Sequence, residues 1–112
     1  QLFLMLGLSW TLAALGEEIV YRGYLQKLLT HLFGNKLPGI ILTVGISSLL
    51  FGLAHLEQGI IGVVVTTIDA LCFSWLKKKF DDNIWAAILA HGFYNSIGLI
   101  VFYFSGPIYG LW

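Results

Sequence analysis

Gly16-Glu17-Glu18-Ile19-Val20-Tyr21-Arg22-Gly23-Tyr24-Leu25 sets two carboxylates and a guanidinium close together inside an otherwise apolar stretch. Its reading depends on what surrounds it. A charged side chain at membrane depth costs about 2.5–3.5 kcal/mol on insertion scales, so such residues face a cavity or a partner and are functional candidates by default. Glu18 and Arg22 are four apart with the acid first, the favourable order for an intrahelical pair. Glu17 and Arg22 are five apart, about 140° around a helix of 3.6 residues per turn. Arg22 is therefore expected to neutralise Glu18, leaving Glu17 free for other work.

Outward from this stretch the chain is apolar. Of its 112 residues 58% are hydrophobic and 11% charged, against about 25% charged in soluble domains, and the mean hydropathy is +0.86. This is the composition of a membrane protein. Residues 1 to about 30 read as one long helix ending near Lys27, followed by the breakers Gly34, Asn35, Lys36 and Pro38. Further apolar runs cover 39–56, 60–76 and 84–105. At about 20 residues per span, the expected fold is all-α, a polytopic transmembrane bundle of about four helices forming a single domain over 1–112. The chain opens on Gln1 without a basic n-region, which suggests the core of a longer protein lacking N-terminal helices rather than one opening on a signal peptide.

If the runs alternate in direction, Lys27, Lys36, Lys77, Lys78 and Lys79 fall on one side, and Glu57 with the C-terminal segment on the other. The positive-inside rule makes the lysine side cytoplasmic. Trp75, Trp85 and Trp112 lie near proposed span ends and read as interfacial anchors. The formal net charge is zero, so no basic field points to a nucleic-acid partner. The single cysteine, Cys72, sits among apolar residues and reads as a buried, inert thiol.

Three more polar residues interrupt the apolar runs: His55 in the second, and His91 and Asn95 in the fourth. Taken singly, each fits a hydrogen bond that glues two helices together. Spacing adds to this. His91 and Asn95, four apart, share one helix face and can present an imidazole and an amide to the same point. Phe51 and His55 repeat the spacing, and Ser47 extends that stripe by a turn.

Glu17-Glu18-x-x-x-Arg22, Phe51-x-x-x-His55 and His91-x-x-x-Asn95, in that order and on separate hydrophobic runs, resemble the CAAX protease and bacteriocin-processing (Abi) family of intramembrane proteases, related to the type II CAAX prenyl endopeptidase. Tyr21-Arg22-Gly23 and the run from Trp85 to His91 look like the same family's surroundings. The resemblance covers about residues 10 to 105. It implies a bacterial plasma-membrane endopeptidase in which Glu17 and His55 activate a water and His91 and Asn95 stabilise the oxyanion, with Glu18 and Arg22 in support. The implied substrate is a prenylated, membrane or bacteriocin-related peptide, in contact with the lipid bilayer. Donors aimed at one point in a low-dielectric cavity suit the charge that develops in such a reaction.

The same atoms fit a second chemistry. Glu17, His55 and His91 match the ligand set of a catalytic Zn2+ or other divalent metal site with one open position, and spacing alone does not choose between metal-bound and glutamate-activated water; the glutamate is preferred slightly. A His-Glu-x-x-His helix, a Gly-x-Ser-Gly nucleophile and an aspartyl dyad are absent from the sequence, so Ser47, Ser48, Ser74, Ser96 and Ser105 read as packing residues. Asp69, mid-span in the third run, is expected either in a polar seam or orienting His55 or His91. His31 reads as interfacial, in the loop region after the first helix.

Depth counting leaves one mismatch. At 1.5 Å per residue from the lysine side, Glu17 lies about 15 Å deep and His91 about 11 Å, but His55 about 24 Å. A shared site requires that these residues come within about 12 Å of one another. A non-catalytic membrane protein conferring bacteriocin self-immunity or scaffolding a partner is the alternative from another class, and a fragment of an ion or metal transporter is a third.

Overall fold

The computed structural model describes residues 1–107, so Trp112 lies outside the described residues. Four helices account for nearly all of them: α1 (Leu2–Phe33), α2 (Leu37–Leu53), α3 (Gly59–Lys79) and α4 (Ile84–Ser105), with a short 3-10 turn, Leu56–Gln58, between α2 and α3. Among the described residues there is no strand, and the all-α expectation holds. α1, α4 and the segment Leu56–Lys79 are long and apolar enough to cross a membrane, whereas α2 is a shorter apolar helix of 17 residues. The chain is an integral membrane protein.

The interior is built from small and polar side chains. Ala14, Ala70, Ala87, Thr43, Ser47, Ser48 and Ser74 are buried, and of the larger apolar side chains Phe51, Phe73 and Ile88 are. Most leucines and isoleucines point outward, as expected where lipid is as apolar as the interior and helices associate through close packing and interhelical hydrogen bonds. Two glycines set the closest approaches. A Cβ on Gly52 would collide with Thr67 and the Val63 carbonyl of α3, and one on Gly92 would enter the Trp10 ring. Trp10 also donates from Nε1 to Ser96 Oγ at 3.0 Å, locking α1 to α4.

From Ser9 to Leu25, α1 is wound as a π-helix on both sides of Glu18, and at its end the Gln26 amide bonds the carbonyl of Tyr21, five residues back. The buried residues of α1 supply a reason. Ala14, Glu18, Arg22 and Gln26 are buried at strict four-residue spacing. On a 3.6-residue helix such a row drifts about 40° per step, or about 120° from first to last. Winding with somewhat more residues per turn reduces that drift, and all four residues are buried. Isolated π-turns frequently mark functional sites.

Several boundaries differ from the sequence expectation. α1 continues to Phe33, so His31 belongs to its last turn and not to a loop. α2 ends at Leu53, which leaves His55 just beyond the helix instead of inside it. Cys72 is exposed, not buried; in a membrane bundle an apolar neighbourhood signals the outer surface as readily as the core.

The depth mismatch has a geometric origin. Ile84, at the start of α4, packs against Gly23, and Lys77, near the end of α3, donates to the Arg22 carbonyl at 2.9 Å. The α3–α4 turn is thus level with residues 22 and 23 of α1, and the rest of α1, together with the start of α2, overhangs it by about 15 Å. Counted from that level, His55 is about 9 Å deep, close to the 11 Å or so of His91.

Candidate active site

The buried row of α1 carries the polar groups inward. Glu18, with none of its surface exposed, accepts at Oε1 from Arg22 at 3.0 Å and from His91 Nδ1 at 2.8 Å. A carboxylate paired with arginine can only accept, so the His91 proton on this side resides on Nδ1. The other ring nitrogen, Nε2, faces Glu17 Oε2 at 3.9 Å. That is too long for a direct hydrogen bond and compatible with one bridging water. The expected Glu18–Arg22 pair is present, and Glu17 is free of it; unforeseen is that Glu18 also holds His91.

His91 and Arg22 are packed between the same two aromatic rings. Phe73 stacks on His91 with centroids 4.9 Å apart and planes 15° from parallel, and Phe51 meets it edge-on at 6.1 Å. The Arg22 guanidinium lies 4.7 Å from the Phe51 centroid and 5.7 Å from that of Phe73. Such cation–π contacts are strongest where water is excluded. They soften the burial of a charge that salt-bridges Glu18 alone.

His55 reaches the same region from the end of α2. Its Nδ1 donates to the Phe51 carbonyl at 2.8 Å, satisfying one of the carbonyls left open at a helix C-terminus and leaving Nε2 as the acceptor. Its ring lies 4.8 Å from Phe51. With Phe51 adjacent to both histidines, the two imidazoles fall within the limit of about 12 Å for a shared site. Glu17 is within electrostatic reach of both His91 and His55. Asn95, one turn beyond His91, is partly exposed, and its amide has no partner among the described residues.

Gln26 and Phe73 were not singled out by sequence. Gln26 Nε2 donates to Ser47 Oγ at 3.1 Å and Ser74 Oγ at 2.8 Å, and Arg22 Nε reaches Ser74 Oγ at 3.4 Å. The serines are therefore packing residues, joined through a buried glutamine. Position four after Arg22 was the available signal. Asp69 falls near the site: its carboxylate interacts with the Tyr94 hydroxyl and, electrostatically, with His91.

Among the described residues no three His, Cys, Asp or Glu side chains converge as a metal-ligand set. His91 Nδ1 is taken by Glu18 and His55 Nδ1 by a backbone carbonyl, so each histidine has one nitrogen, Nε2, for other chemistry.

No curated protein and no solved structure matches the chain. A protein-family profile, type II CAAX prenyl endopeptidase Rce1-like, matches residues 1–97, a segment that includes the paired glutamates, both histidines and Asn95. With that match spanning most of its length, the chain belongs to the Rce1-like family of type II CAAX prenyl endopeptidases, a family of proteases.

Proposed function

We propose that this protein hydrolyses a peptide bond inside the membrane with a water activated by Glu17 and His55, and with His91 and Asn95 stabilising the oxyanion. The observation that carries the proposal is the His91 geometry: one nitrogen bonded to Glu18 at 2.8 Å, the other facing Glu17 across 3.9 Å. Glu17 takes a proton from the water as its oxygen attacks the carbonyl carbon, and His55 Nε2, fixed as an acceptor by the Phe51 carbonyl, assists. His91 donates from Nε2 in its doubly protonated form, a cation flanked by Glu17 and Glu18. The Asn95 amide, four residues on and without a partner, supplies a second donor to the same oxygen. Collapse of the tetrahedral intermediate breaks the C–N bond, and the proton carried by Glu17 passes to the leaving amine.

The substrate proposed is a lipidated CAAX-type peptide, with other membrane or bacteriocin-related peptides as further members of the class. On this reading the lysine end faces the cytoplasm, as the positive-inside rule expects, and the membrane is the bacterial plasma membrane that the family resemblance implies. Cleavage of a farnesylated CAAX peptide by the full chain in proteoliposomes is the direct test. Turnover that disappears in Glu17→Gln and His55→Ala, with the protein still inserted, upholds the mechanism; full activity in both variants overturns it.

A further inference from the structure

The overhang of α1 and α2 beyond the α3–α4 turn frames an open recess of about 370 Å³ whose lysines the proteolytic reading does not use. Its wall includes Arg22, Gln26, Lys27, Thr30, Lys77 and Lys78, with Asp82 as its one carboxylate. Asp82 is held by Lys78 at 2.8 Å and Lys77 at 3.6 Å, and Arg22 is offset by Glu18. Two positive charges remain in excess. Lys27 is exposed, and its ammonium has no partner among the described residues; the hydroxyl of Thr30 has none either. Elsewhere on their surface the helices that carry this recess expose apolar side chains, with Leu28 54%, Leu32 73% and Leu37 69% exposed.

We infer that this recess is a binding site for a phosphate-bearing anion, and that the anion is the headgroup of an acidic phospholipid. Basic pockets between transmembrane helices, at the lysine-rich end, bind anionic headgroups by charge. Lys27 and Lys78 meet the phosphate oxygens, and Thr30 adds a hydroxyl donor. The site lies on the lysine side of the Glu18–Arg22 pair and shares only Arg22, a supporting group, with the proteolytic set; Lys27, Thr30 and Lys78 are outside that set, so it stands whether or not the proteolytic reading does.

The test is retention of dioleoylphosphatidylglycerol against dioleoylphosphatidylcholine by the purified full chain in neutral detergent, read by native mass spectrometry, with inorganic phosphate as a soluble probe. The wild type is expected to prefer the acidic lipid. Lys27→Gln weakens that binding about fivefold and Lys27→Glu about 25-fold, on the basis of about one basic residue's contribution per unit of charge changed, with phosphatidylcholine unaffected in both. Lys27 is exposed and outside the proposed catalytic set, so the fold tolerates either change. Inorganic phosphate that binds as tightly as the lipid, and is weakened by Lys27→Gln, upholds the phosphate site and assigns it a soluble source. Equal retention of the two lipids with no phosphate binding, or a preference that both variants leave unchanged, overturns the inference.

Discussion

Glu18 and His91, 73 positions apart in sequence, are joined by a 2.8 Å contact between Oε1 and Nδ1 at a point where neither side chain has meaningful access to solvent. The contact ties the reactive face of α4 to the charged row of α1, and it divides the adjacent glutamates by task. Glu18 neutralises Arg22 and orients His91. Glu17, 32% exposed at its side chain and without an ion pair to Arg22, carries neither of these contacts.

The two glutamates should respond oppositely to the same substitution. Glu18→Gln leaves Arg22 as an unneutralised buried cation, and breaking a buried pair in this way costs about 3–5 kcal/mol; the expected result is a lowered unfolding temperature in detergent along with lost activity. Glu17→Gln removes no such pair and is expected to change stability by no more than about 0.5 kcal/mol. Its effect falls on turnover, a loss of about 10²- to 10⁴-fold for a general base. Thermal unfolding and peptide cleavage on the same preparations read both. Equal destabilisation by the two variants would sink the division of labour.

Packing around Gly92 gives a second contrast. The Trp10 ring occupies the space a Cβ would need there, while nothing lies within 4 Å of the corresponding point on Gly45. Gly92→Ala should force α1 and α4 apart and destabilise by about 1–3 kcal/mol, the usual range for overpacking. Because His91 is the preceding residue, turnover should fall with it. Gly45→Ala, on an exposed helical position, should be neutral or gain up to about 1 kcal/mol from helix propensity. A Gly92→Ala protein as stable and active as wild type would show that the Trp10 contact is dispensable.

Much of this architecture is present in the sequence. The charge of Glu18 and Arg22 and their four-residue spacing were enough to expect their pairing, because local helix geometry fixes it. The link from Glu18 to His91 was not legible, since no rule of spacing connects residues on two helices. Gln26 escaped notice for a different reason: it carries no charge, and a search led by charge passes over it, although its position completes the row Ala14, Glu18, Arg22 and Gln26. The misplaced depth of His55 came from treating both lysine-side turns as level, and only the contacts of Ile84 and Lys77 with α1 reveal the overhang. Cys72 was misjudged because rules for burial learned in water invert in lipid.

The α3–α4 turn supplies a pH dependence with a definite sign. Burial pushes the Asp82 carboxyl up, but the hydrogen bond and charge of Lys78, with those of Lys77, outweigh it and hold the group below the usual carboxylate range. A depressed folded-state value means the stabilisation is present above the unfolded value near 3.9 and is lost as pH falls through the folded one. Asp82 is 56% exposed, so screening keeps the contribution below about 1 kcal/mol. Asn tolerates the positive φ of 59° found here, which makes Asp82→Asn a clean probe of charge. Its destabilisation should be measurable at pH 7 and shrink as pH falls below the unfolded value near 3.9. A constant difference across that range would assign the effect to the turn and not to the ion pairs.

The last prediction separates the two chemistries that the donor set allows. With His91 Nδ1 committed to Glu18 and His55 Nδ1 to a carbonyl, the mechanism proposed here has Glu17 itself take the proton from water. Protein purified in the presence of 1,10-phenanthroline and EDTA, then returned to chelator-free buffer prepared without metals, should keep its turnover on a farnesylated peptide. It should still lose about 10²- to 10⁴-fold when Glu17 is changed to Gln. If activity instead disappears with chelation and returns in proportion to added Zn2+, Glu17, His55 and His91 hold an ion, Glu17 is a ligand and not the base, and Glu17→Gln should then also lower the amount of zinc bound per chain. Measuring bound metal and turnover on the same samples distinguishes the cases, because a base can be removed without changing metal content and a ligand cannot.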